Sequence, residues 1–171
     1  MHNSLLSTGL AMAISLASLN VLAHGPAHHG ERPQLPPEQT AWGIAGDESA
    51  VDREVVIRMD DRMRFYPDHL EVREGETLRL VIRNEGQLLH ELVLGSAEEL
   101  AKHAEMMAQF PDMEHDEPWM AHVDPGQSQT LIWTFNRSGR FEFACLLPGH
   151  YQAGMLGALQ VSEPKLARHN H

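Results

Sequence analysis

The sequence predicts an all-β fold, a sandwich of short strands interrupted once by a helix. Three observations carry this. Apolar and polar residues alternate in short runs between Val55 and Val161, the period of a strand with one buried face. Turn formers such as Asn84-Glu85-Gly86-Gln87 separate the runs. Between residues 96 and 124 the period changes from two to that of a helix. About seven or eight strands with turns between them fit an antiparallel sandwich.

In chain order, residues 1–23 read as a secretory signal peptide. Leu5 to Val21 is apolar and small without a charge, and Val21-Leu22-Ala23 fits a cleavage site before His24. The run is too broken by polar residues for a membrane span, so none is expected after cleavage. Residues 24–51 are rich in Pro, Gly and polar groups and read as a flexible, His-containing lead-in outside the core. Residues 52–163 hold the strands. Val55, Ile57 and Met59 share one parity, as do Leu70 with Val72, and Leu78, Leu80 and Ile82. His90 starts a run whose same-face members are Leu92 and Leu94. Leu131, Trp133 and Phe135 follow, then Phe141, Phe143 and Cys145, then Met155, Gly157, Leu159 and Val161. In the insertion, 96–124, Ser96 to Glu99 has capping-box form, and Ala97, Leu100, Ala101, Ala104, Met107 and Ala108 recur at helical spacing. Residues 164–171 form a polar tail.

The net charge of −11 disfavours nucleic acid or an anionic membrane as partner. Eight carboxylates against Lys102 give the insertion −7 of that charge. The chain has one cysteine, which excludes an internal disulfide, together with twelve His and nine Met. In an exported chain such a thiol is buried, paired with another chain, or occupied by chemistry.

That cysteine opens the loop Cys145-Leu-Leu-Pro-Gly-His150-Tyr-Gln-Ala-Gly-Met155, a C-x4-H-x4-M pattern. Thiolate, imidazole and thioether are donors that suit copper, and a His2Cys set with a weak axial Met is an electron-transfer copper site. The second imidazole is expected from His90, which strand packing can bring to the loop from 55 residues upstream. Gly149 and Gly154 give the loop freedom to turn His150 and Met155 inward. Gln152 is an alternative axial donor, but Met155 has the better chemistry and spacing; His69 has outward parity and is expected at the surface. A lone Cys, Met or His is more often a core residue than a ligand, but three on one eleven-residue loop favour a site.

With these residues the chain resembles the cupredoxins, the plastocyanin and azurin family. The Cys145–His150 spacing is like that of azurin, and the Ala153-Gly154-Met155 ending is like that of plastocyanin. The resemblance covers roughly residues 52–163. It implies a Greek-key sandwich and a type 1 copper centre, blue or green, with His90, Cys145 and His150 equatorial and Met155 axial. Two departures stand out. Glu91 follows the first ligand where those relatives carry Asn, so the lock on the Cys loop is expected to be built differently. The acidic helical insertion is foreign to plastocyanin, and with the His-rich ends it resembles the exported copper-resistance cupredoxins of bacteria.

Further donors read as auxiliary copper sites: His24, His28 and His29 in the lead-in, and His103, Met106, Met107, Met113, His115, Met120 and His122 in the insertion. His103, Met106 and Met107 stand at i, i+3 and i+4 and are expected on one helical face. The bland alternative, cover for the sandwich, is favoured for any single residue. The reading that results is a periplasmic copper-binding protein of copper tolerance that redox-cycles its metal. The alternatives are a one-electron carrier that docks a basic partner such as a c-type cytochrome or a periplasmic copper-handling protein, and a Cu(I) oxidase. One cysteine excludes a dinuclear centre with two bridging thiolates. An enzyme is the less favoured class.

Overall fold

The structure is a computed structural model and describes residues 37–111, 113 and 116–164. The expected signal peptide, His24, His28, His29, His115 and residues 165–171 of the tail lie outside the described residues. Ten strands are present among those described: β1 Ile44–Ala45, β2 Arg53–Asp60, β3 Arg64–Tyr66, β4 His69–Arg73, β5 Glu76–Asn84, β6 His90–Gly95, β7 Met120–Val123, β8 Ser128–Phe135, β9 Gly139–Ala144 and β10 Leu156–Ser162. Helix α1, Ala97–Gln109, follows β6. The strands form two five-stranded sheets, β1-β8-β5-β2-β3 and β4-β10-β9-β6-β7.

The sandwich is as expected, but its strands are more numerous and not all antiparallel. β2 pairs with β5 in parallel, and β4 with β10 likewise. Side-chain parity reports which face a strand buries and carries no information about the direction of its neighbour. The inward series all lie where parity puts them. Ile57, Met59, Leu78, Leu80, Ile82, Leu92, Trp133, Phe135 and Phe143 are fully buried in the core between the sheets.

Residues 40–46 join this core instead of lying outside it. β1 pairs with β8, and Trp42 is only 6% exposed. Trp42 packs edge-on against Trp119, which packs edge-on against Trp133, and the Trp133 indole N–H donates to the Trp42 carbonyl at 3.1 Å. One large aromatic supplies enough apolar area to anchor an otherwise polar stretch.

Ser96 caps α1: its hydroxyl accepts from the Glu99 amide and donates to the Glu99 carboxylate at 2.6 Å. The helix buries Leu100, Ala104 and Met107 against the outer face of β6 and β9, forming a second cluster with Val93, Ala144, Leu146 and Met120. This cover explains why all six residues of β6 are buried, where alternation alone predicts three.

Candidate metal centre

The site forms where β6 begins and β9 ends. The two strands run antiparallel, with Val93 opposite Ala144. His90 at the head of β6 and Cys145 just past β9 therefore reach the same end of the sheet. Both are 0% exposed, and His150 is half-buried. The ligand-capable atoms of these three residues all lie within 4.8 Å of one another. His150 Nδ1 is 3.3 Å from Cys145 Sγ, and the two imidazole rings stand 5.0 Å apart and tilted by 52°.

The loop between the two sheet strands is closed by its own backbone. Cys145 N–H donates to the Met155 carbonyl at 3.0 Å, and Met155 N–H to the His150 carbonyl at 3.1 Å. Pro148-Gly149 makes the turn, with Gly149 at φ 89° and His150 N–H donating to the Leu147 carbonyl at 2.9 Å. Gly154, at φ 85°, makes the second bend. Met155 is buried in the same core cluster as Cys145. Gln152 is exposed, and its side-chain oxygen accepts from Gly149 N–H at 3.1 Å, so it serves the turn and does not point inward. His69 is at the surface beside Glu71.

His90 is held from behind. Its Nε2 lies 3.0 Å from Asp61 Oδ1, and Asp61 also accepts from the amides of Gln87 and Leu88. Buried Asn84 fixes the same approach, donating to the Leu88 and Val123 carbonyls and accepting from Gly86 N–H. With Nε2 engaged, His90 Nδ1 remains buried with no hydrogen-bond partner among the described residues. A buried imidazole nitrogen in that state is unfavourable in a metal-free protein and natural for a ligand. Sequence spacing does not reveal Asp61, which sits in a turn 29 residues before His90.

The cysteine is a poor thiolate by itself: burial pushes its pKa up to about 12. Burial first, and neighbouring His90 second, lower the pKa of His150 and disfavour its protonated form. Two imidazoles and a thiol that ionises only beside a cation fit a soft or borderline metal ion, copper above all. Glu91, next to His90, accepts from Leu146 N–H at 2.7 Å, and its own amide donates to Cys145 Sγ at 3.4 Å. The lock on the Cys loop is thus built from a carboxylate.

The insertion donors are distributed. Met107 turns inward while Met106 is 42% exposed, so His103, Met106 and Met107 do not share one face. Met107, Met113, Met120 and His122 line a cleft that extends to Leu147 of the loop.

A β-sandwich with one buried and one half-buried imidazole and a buried thiol converging at one end defines the class as that of the small copper proteins. The chain matches the family described as copper binding proteins, plastocyanin/azurin family, over residues 51–162, and it belongs to that family. It is 40% identical to a copper-resistant cuproprotein CopI of Rubrivivax gelatinosus, over 94% of this chain and 99% of the relative. Identity to a copper-resistant cuproprotein CopI of Pseudomonas aeruginosa is 36%, over 74% of this chain and 85% of that one. In fold it is similar to the dithionite-reduced auracyanin of Roseiflexus castenholzii, with a TM-score of 0.57 at 22% identity, covering 66% of this chain and 98% of that structure.

Proposed function

We propose that this chain is an exported, periplasmic copper-tolerance protein that holds one copper ion in a type 1 site and cycles it between Cu(I) and Cu(II). His90 Nδ1, Cys145 Sγ and His150 Nδ1 would hold the metal, with Met155 as the axial donor. One observation carries the reading: three donors from two strands and a loop converge in a buried cluster, with the His90 nitrogen left otherwise unpartnered. The bound ion would supply a one-electron couple. The protein supplies a rigid, water-poor cage, and a fixed cage keeps the rearrangement between oxidation states small. Tolerance is favoured over simple electron carriage by the 40% identity to a copper-resistant cuproprotein. The cleft of Met107, Met113, Met120 and His122 also supports it, because thioether and imidazole donors suit a second, Cu(I) ion.

A carrier role has one observation of its own. Leu88 and Leu89, exposed beside buried His90, together with the acidic insertion, offer a docking face for a basic redox partner. Visible and paramagnetic-resonance spectra of the Cu(II) form decide the centre. Intense thiolate-to-copper absorption is expected in the parent and its loss in Cys145→Ser. A colourless parent overturns the centre. More than one copper per chain in the coloured sample supports tolerance, and a strict one-to-one ratio supports the carrier.

A further inference from the structure

We infer that the cleft beside α1 is a second metal site, selective for Cu(I), whose donors are the thioethers of Met107, Met113 and Met120. The inference deepens the tolerance reading, because it gives the protein a place for the reduced ion apart from the type 1 centre. Three of the seven described methionines converge here. Met107 comes from α1, Met120 from β7, and Met113 from the connection between them. Met107 and Met120 are buried in the small cluster that α1 forms on the sheet, and half-buried Met113 packs against it. All three also line the cleft, so a metal ion can reach them from outside.

Packing alone does not ask for sulfur. Leu100 and Ala104 cover the same face of the sheet without it, and Leu and Met exchange at little cost in a core. What Met adds is a soft, neutral donor that suits Cu(I) and not hard cations. The exposed carboxylates of Asp116 and Asp124 stand at the same cleft, and among the described residues no Lys or Arg lines it. The carboxylates draw a cation in, and the thioethers select which cation stays. His122 lines the cleft too, but its Nε2 lies 2.9 Å from Glu91 Oε2, so that nitrogen is already engaged. The two metal positions lie on opposite faces of one sheet. Met120 stands opposite Val93, which faces α1, whereas Cys145 and Met155 belong to the core between the sheets.

Methionine-methyl NMR of the full copper-free chain, titrated with Ag(I) as a redox-inert stand-in for Cu(I), reads both positions at once. The methyls of Met107, Met113 and Met120 are expected to move together, and that of Met155 independently of them, while buried Met59 and exposed Met106 stay. Met155 moving without the other three overturns the cleft site and leaves the type 1 reading intact. The three moving without Met155 supports the cleft site and counts against the type 1 reading. A second measurement combines Met107→Leu, Met113→Leu and Met120→Leu in a Cys145→Ser background, which keeps the apolar cover and removes the sulfurs. Competition with a Cu(I) chelator should then show affinity at least about tenfold below that of Cys145→Ser alone, since even an outer partner of a metal ligand is worth that much. Unchanged Cu(I) affinity in a folded Leu variant overturns the site.

Discussion

His90 shows how a ligand is prepared by groups that never touch the metal. Asp61 engages its Nε2 and simultaneously holds the amides of Gln87 and Leu88. Ring orientation and tautomer are thereby set from the outside, leaving Nδ1 for the site. Asp61→Ala should weaken copper binding by about 10–100-fold, measured by titration against a competing chelator. Unchanged affinity would mean that β6 alone orients the ring. His122 makes a second residue-level test. Its bond to Glu91 holds its pKa above the ordinary 6.5. The stability it contributes is therefore complete below that value and lost as pH rises through the raised folded one. In copper-free protein, denaturant unfolding should show His122→Gln less stable than the parent at about pH 6, with the gap closing by about pH 9. His150, whose pKa is lowered, acts in the opposite sense, but it is present in both proteins and cancels from the difference.

At the scale of elements, α1 is the addition that changes what the sheet can do. Its apolar stripe converts the outer face of β6 from a surface into a second small core. Leu100 lies fully buried at its centre, so Leu100→Ala should destabilise the protein by about 2–5 kcal/mol in urea unfolding. A loss well below 1 kcal/mol would show that the helix is only loosely applied. The helix itself was legible in the sequence through Ser96, Glu99 and the spacing of Leu100, Ala104 and Met107. That it would cover Val93, Ala144 and Leu146 was not. Helical periodicity identifies a sticky face without naming the surface it covers.

For the molecule as a whole, what sequence reveals divides along physical lines. The loop Cys145–Met155 is contiguous, and its donors and glycines can be read directly. His90 was found because its parity matched Leu92 and Leu94. Asp61 and the Glu91–His122 pair are joined only by strand registration, which no local pattern encodes. Trp42 was misplaced in the lead-in because its neighbours are polar, and one residue outweighed them once β8 was available to pack against. The parallel pairings went unseen for the same reason, since direction is a property of the assembled sheet.

One of those pairings has a bearing on when the protein can acquire metal during its own synthesis. β10 lies between the edge strand β4 and β9, and Met155 immediately precedes it. A ribosome-bound chain that has not yet released residues 156–162 has no partner for β4 and nothing to pin the far end of the loop. The ligands can be gathered only after nearly the whole chain has emerged. A chain cut before β10 is therefore expected to leave this centre unassembled.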